Sequence, residues 1–152
     1  MADVFSAAKR SKLMGRIRAK GNKSTELRFL SILKQQGVTG WRRHLPVQGR
    51  PDFAFPKLRL AVFIDGCFWH GCRKHCVFPR SNRAFWRTKI RLNIERDAMV
   101  AHALALKGWH VVRIWEHELR PSAFESTSQK AVRILTKAGA MRTRLRLSST
   151  KH

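Results

Sequence analysis

The chain has 152 residues, 43% of them hydrophobic, with five tryptophans and nine phenylalanines, which suits one folded domain with a buried core. Thirty-two Lys and Arg stand against nine Asp and Glu, a formal net charge of +23 that calls for a polyanion, nucleic acid first. No apolar run reaches the ~18 residues of a membrane span, and the opening MADVFSAAKR lacks the apolar stretch of a secretory signal, so the expected setting is a reducing cytoplasm with no membrane contact.

In chain order, residues 1–20 place Lys9, Arg10, Lys12, Arg16, Arg18 and Lys20 around Met14 and Ile17 and read as a basic N-terminal arm. A helix begins at Asn22 or Ser24, carries Leu27, Leu30 and Leu33 as its apolar stripe, and stops at Gly37. Residues 41–47, WRRHLPV, suit an edge strand ended by Pro46. In GRPDFAFPKLRLAVFIDG, residues 49–66, two turns separate a short strand over 52–55 from a strand over 58–64. The nearly unbroken run LAVFI marks that second strand as covered on both faces. A cysteine-rich loop runs to about Arg80, and Asn82 is placed to cap a helix over 83–107. Its expected buried side holds Phe85, Ile90, Ile94, Val100 and Leu104, and Gly108 ends it. Residues 109–115, WHVVRIW, form a strand, and Pro121 opens a last helix filled by Val132, Ile134 and Leu135. The expected organisation is the arm, a domain over 21–138, and a flexible basic tail over 139–152. Helix, strands, long helix, strand and helix in that order predict an α/β fold, a mixed central sheet flanked by helices.

All three cysteines lie in DGCFWHGCRKHC, residues 65–76. Three is an odd number, and a reducing compartment favours metal over disulfide. A tetrahedral zinc site takes four thiolate or imidazole ligands, and short spacings let one loop supply three: Cys67, Cys72, and either His75 or Cys76. The fourth must come from elsewhere, and His117 in WEHEL, just past a strand end, suits it.

Acids are scarce, so a carboxylate inside an apolar segment needs a reason. Asp52 follows Pro51 at a strand start and Asp65 closes the apolar strand, which sets two carboxylates on neighbouring strands. Nucleases of the PD-(D/E)xK type hold Mg2+ at the scissile phosphate with such a pair, although no lysine stands two residues after Asp65. In FWRTKIRLNIERD, residues 85–97, Lys89, Asn93 and Asp97 fall on one helical face.

Taken together, RSKLMGRIRAKGNKSTE (10–26), GRPDF (49–53), VFIDGCFWHGC (62–72), FWRTKIRLNIERD (85–97) and GWHVVRIWEHEL (108–119) resemble the very short patch repair endonucleases. The resemblance covers almost the whole chain in order. It implies a restriction-endonuclease-like α/β nuclease core with a zinc-stabilised loop, cutting one DNA strand next to T:G mispairs left by deamination of 5-methylcytosine. It further implies a catalytic Mg2+, a structural Zn2+, double-stranded DNA carrying a T:G mismatch as partner, other mismatch-repair proteins nearby, a monomer, and a bacterial, nucleoid-associated location. By resemblance Asp52 is the metal-binding catalytic aspartate, His70 a catalytic histidine, Asp97 its supporting acid, and Glu26 a helix-borne acid near the site. Phe68 and Trp69 match an aromatic pair that wedges into the duplex, with Met14 on the arm, while Lys89 and Asn93 match positions facing the mispair. Some members carry histidine where this chain has Asp65. The alternative from the residues alone is a non-catalytic, zinc-containing DNA-binding module.

A charge of +23 predicts binding dominated by phosphate contacts. Affinity for any duplex should fall by orders of magnitude over a few-fold rise in salt if ~6–10 phosphates are engaged. A salt titration by fluorescence anisotropy checks this, and a shallow slope would assign the charge another purpose.

Overall fold

Six consecutive buried residues, Leu60–Asp65, form the strand around which the other elements are arranged. The computed structural model describes residues 25–149, with side chains as far as Lys137. Within that range the elements are helix α1 (25–35), β1 (Arg42–Arg43), β2 (Phe53–Phe55), β3 (Leu60–Asp65), α2 (Arg83–Leu106), β4 (His110–Trp115) and α3 (Phe124–Ser149). Single 3-10 turns sit at Pro56–Leu58, Glu116–Leu119 and Pro121–Ala123. The sheet order is β1-β2-β3-β4, antiparallel across the first two pairings and parallel between β3 and β4. The expected mixed sheet flanked by helices is therefore present.

Alternation along β3 assigns its faces. Leu60, Val62 and Ile64 join Phe53, Phe55 and Ile114 in a core closed by Phe29, Ile32 and Leu33 of α1 and by Leu119 and Ala131. On the opposite face Ala61 and Phe63 meet Leu104 of α2, with Val47, Val100, Trp109 and Val111 around them. Both faces are covered, as the run LAVFI requires. Parallel pairing needs a long crossover, and residues 66–109 supply it. Gly108 takes a left-handed φ of 75° to end α2, Arg59 donates to the Lys107 carbonyl at 3.0 Å, and His110 N–H donates to the Arg59 carbonyl at 2.7 Å. The return of the chain is thus locked to the start of β3.

Several local expectations change. The strand over 41–47 shrinks to Arg42–Arg43, because His44 turns left-handed (φ 49°) and Val47 N–H closes a turn onto the Leu45 carbonyl. In α1, Leu27 is exposed and Phe29 takes a core place beside Ile32 and Leu33. Asn82 makes no side-chain cap; its carbonyl accepts from Trp86 N–H at 3.1 Å while its own φ is 54°. In α2, Phe85 and Ile94 are exposed, and the buried residues are Trp86, Ile90, Asn93 and Leu104. The cause is the cysteine loop, which covers the N-terminal half of α2 and selects the face carrying Trp86 and Asn93. Val132 of α3 is also exposed, and Ala131 is the buried neighbour. Helix α3 continues to Ser149. The arm, with Met14, lies outside the described residues.

Leu104 has no exposed surface and holds α2 on the sheet, whereas Met99 on the same helix is 72% exposed. Leu104→Ala should cost ~2–5 kcal/mol, and Met99→Ala no more than ~0.5 kcal/mol. Urea denaturation separates the two; comparable losses would contradict this packing.

Candidate active site

The cysteine loop leaves the end of β3 as a chain of turns. His70 N–H donates to the Gly66 carbonyl at 3.2 Å, Cys72 N–H to Cys67 at 2.9 Å, and Cys76 N–H to Cys72 at 2.9 Å. Glu116 accepts from Cys67 N–H at 3.2 Å, pinning the loop to the chain just beyond β4. Gly71 has φ 66°, and a Cβ there would lie 2.8 Å from Ile94 Cδ1 and 3.1 Å from Ile90 Cγ2, so the backbone rests directly on α2.

These turns gather Cys67, Cys72 and His75 with His117, their ligand atoms all within 4.8 Å of one another. Cys67 Sγ is 3.2 Å from His117 Nδ1, and Cys72 Sγ is 3.7 Å from both His75 Nδ1 and His117 Nδ1. Zinc bonds of ~2.0–2.3 Å in a tetrahedron separate ligand atoms by ~3.3–3.8 Å, so the donor set and its spacing suit zinc. Of the two residues open for the third place, His75 is in the group; the Cys76 thiol turns instead to the Phe68 carbonyl at 3.5 Å. Burial first, then the neighbouring Cys72, pushes the Cys67 thiol up to about 11. Burial, with His75 next, lowers His117. Two thiols and two imidazoles so placed are a donor set that a dication would complete.

The aromatics of the loop rest on α2. Phe68 and Trp69 meet edge to face at 5.1 Å, and Trp86 lies 5.3 Å from the first and 6.0 Å from the second. Both remain half-exposed on this platform. Asn93 is buried, and its Nδ2 donates to the Trp69 carbonyl at 2.9 Å, while Lys89 is half-buried one turn away. The polar stripe of α2 therefore faces the loop.

Further along that stripe Asp97 accepts from His70 Nδ1 at 2.5 Å. A carboxylate partner fixes the proton on Nδ1 and leaves Nε2 to exchange protons elsewhere. The buried Asp65 has an oxygen 3.8 Å from the same Nδ1, but its two oxygens take Arg113 at 2.7 and 2.8 Å.

Asp52 lies in a second cluster. Its Oδ2 accepts from Ile64 N–H at 2.7 Å, which holds it against β3, and Glu26 and His44 complete a group of ligand atoms within 4.8 Å. Glu26 is ion-paired with Arg43 and lies 3.3 Å from His44 Nε2. Burial raises the Asp52 carboxyl to about 6, opposed by the Ile64 N–H and reinforced by Glu26, with Asp65 a smaller contributor. The two clusters thus adjoin. The structure brings Asp52 to Glu26 and His70 to Asp97, and it does not bring Asp65 into the group around Asp52.

Three residues here escaped the sequence reading: His44, Arg113 and Trp86. Arg113 left one trace, as the lone cation in the apolar strand WHVVRIW. His44 left none, because only its left-handed backbone directs the ring to Glu26.

The family model described as DNA mismatch endonuclease Vsr matches residues 2–77. The DNA mismatch endonuclease Vsr of Escherichia coli is 39% identical over 123 residues, 79% of this chain and 77% of that one. The chain belongs to the Vsr family. Type II nicking enzyme V.XorIIP of Xanthomonas oryzae is 38% identical over 78% of this chain and 88% of its own. Type II nicking enzyme V.NaeI of Lentzea aerocolonigenes is 49% identical over 72 residues, 47% of this chain and 43% of its own, so that match spans less than half of the relative. Membership makes the chain a DNA endonuclease.

Cys67→Ala should lower bound metal and thermal stability together, and chelation should reproduce the loss in the unaltered protein. Metal analysis with thermal denaturation reads both; a fully stable Cys67→Ala protein of unchanged metal content would remove the clamp.

Proposed function

We propose that this protein nicks one strand of duplex DNA beside a T:G mispair, with Mg2+ at the Asp52 cluster and Zn2+ at the cysteine loop. The observation that carries the reading is the pairing of two neighbouring devices: a half-buried carboxylate lacking a lysine or arginine partner of its own among the described residues, and an imidazole oriented by a carboxylate. Hydrolysis of a phosphodiester needs positive charge at the non-bridging oxygens and a proton carrier at an attacking or leaving oxygen.

Asp52 is the principal ligand for the cation, and Glu26 adds a second carboxylate within reach. Bound there, Mg2+ supplies charge stabilisation and positions the phosphate. His70 carries the proton through Nε2, and Asp97 holds its tautomer and ring plane. The zinc clamp stiffens the turns that carry Phe68, Trp69 and His70, so one loop serves recognition and chemistry. A wedge inserted between base pairs costs least at a mispair, and Phe68 and Trp69 on the Trp86 platform suit that task. Lys89 and Asn93 are proposed to face the mispair, and Met14 to enter from the arm.

The raised Asp52 pKa has a stability consequence. A folded value near 6 lies above the unfolded carboxylate range, so ionising Asp52 costs on the order of 2–3 kcal/mol at pH above 6. That cost shrinks as pH falls toward 4, where both states are protonated. Asp52→Asn should therefore abolish nicking of a T:G heteroduplex in Mg2+ while raising the melting temperature of the Mg2+-free protein at pH 7.5, a gain that fades in acid. His70→Ala should slow nicking by ~10²–10⁴ with mispair binding retained. Normal nicking by Asp52→Asn would sink the assignment, and mispair binding by the unaltered protein with no Mg2+-dependent cut would favour the non-catalytic module.

A further inference from the structure

Helix α2 is covered along one side. Ile90, Asp97 and Leu104 recur every seventh residue on the side turned to the loop and the sheet, and Leu104 has no exposed surface. About half a turn away, Phe85, Leu92, Met99 and Leu106 recur at the same interval, and they are 60, 50, 72 and 76% exposed. Thr88, Glu95 and His102, also exposed, fall between them, so the outward side has the three-and-four spacing of a coiled-coil seam. From Ala98 to Leu106 that side carries Ala98, Met99, His102, Ala105 and Leu106, with no lysine, arginine, aspartate or glutamate. Singly exposed apolar side chains are ordinary, whereas an apolar row spanning ~21 Å of helix, from Leu92 to Leu106, marks a docking surface.

We propose that this row, Leu92, Met99 and Leu106, docks an acidic amphipathic helix of a partner protein while DNA occupies the catalytic edge. Charge selects the occupant. Glu95, the one carboxylate on the outward side of α2, is engaged by Arg91 at 2.7 Å, and Arg87 and Arg96 add exposed cations beside the row. A second copy would bring two chains of +23 together and set Thr88, Glu95 and His102 of each into the seam. Self-pairing is therefore opposed by charge and by the burial of polar groups. A basic helix meets the same repulsion. A helix with apolar residues at heptad spacing and acids along its flanks covers Leu92, Met99 and Leu106 and answers Arg87 and Arg96.

Position keeps the row clear of the duplex. Trp86, Asn93 and Asp97 lie beneath the loop at the C-terminal end of β3. Leu104, by contrast, packs with Ala61 and Phe63, and the Lys107 carbonyl takes Arg59 at the start of that strand. Helix α2 thus runs away from the site, and Met99 and Leu106 lie beyond Asp97, the last of its residues bonded to the loop. Phe85, at the other end, lies 5.2 Å from Trp86 and belongs with the aromatic platform.

The test uses the full-length protein and a synthetic peptide of ~20 residues, with leucines at heptad spacing and glutamates at the flanks, long enough to form a helix on docking. Controls are its scrambled sequence and the same peptide with lysine for each glutamate. Fluorescence anisotropy in saturating duplex DNA reads the docking, because an acidic peptide held merely by the DNA-binding face is then displaced. The acidic peptide should bind roughly tenfold or more tightly than either control and stay bound with DNA present. Met99→Gln with Leu106→Gln should weaken it by roughly 10–100-fold, the scale for losing two large apolar contacts. The same double variant should keep the DNA affinity and melting temperature of the unaltered protein, since both side chains are exposed. If it fails to fold, Leu106→Gln alone carries the comparison. Equal binding of the scrambled peptide, displacement by DNA, or unchanged affinity in the variant would each overturn the proposal. So would a dimer in sedimentation velocity that Leu106→Gln dissolves, which would give the row to a second copy. Failure of the unaltered protein to cut DNA would instead bear on the nuclease reading alone.

Discussion

Two parallel strands cannot be joined by a tight turn, and β3 and β4 are parallel neighbours in register from Leu60 and His110 to Asp65 and Trp115. The chain must leave the C-terminal end of β3, travel the length of the sheet and re-enter beside it. Both strands therefore finish at the same edge, and whatever follows each is brought together there. The cysteine loop follows one and Glu116–Leu119 the other, which is how Cys67 meets His117 across 50 residues. The returning helix crosses the same edge and delivers Asn93 and Asp97 to the loop. No residue of the site needs an unusual fold to reach its neighbour, because the crossover sets the meeting place.

The second theme is charge of the minority sign. In a chain of net +23, Glu26, Asp52, Asp65 and Asp97 lie close together, and three of them are matched by a cation or imidazole from a different element: Glu26 by Arg43, Asp65 by Arg113, Asp97 by His70. Asp52 alone of the four has only a backbone N–H as its hydrogen-bond donor among the described contacts, and burial raises its carboxyl. The surplus of basic groups can draw a polyanion to the surface while Glu26, Asp65 and Asp97 stay sheltered behind ion pairs of their own.

Much of this was legible in the sequence. The run LAVFI announced a strand covered on both faces, Gly108 the end of the long helix, and the cysteine spacing the gathering of Cys67, Cys72 and His75, since each is a local pattern with a local cause. The misread parts have non-local causes. Hydrophobic periodicity placed Phe85 and Ile94 inside, yet the loop covers α2 on the face of Trp86 and Asn93, and a helix cannot state in its own sequence which neighbour will arrive. Strand order sets Asp65 next to the strand that follows Asp52; what it does not tell is that the Asp65 oxygens take Arg113 of β4, separated from it by 48 residues. His75 and Cys76, three and four residues after Cys72, are both candidates by spacing, and only the turn at Cys72 directs the imidazole inward and the thiol to Phe68.

The four clustered ligands come from two places in the chain, three between 67 and 75 and one at 117. An ion bridging them is thus a cross-link, and the segment it closes contains the whole of α2 and β4. By the chain-entropy estimate for tying a loop of 50 residues, such a bridge removes freedom from the unfolded chain equivalent to about 4 kcal/mol. The enclosed segment holds His70, Asn93, Asp97 and Arg113, whereas β1, β2 and β3 with Asp52 lie outside it. Were an ion held there, its loss would fall unevenly, loosening the half of the molecule that orients the histidine and sparing the half that offers Asp52.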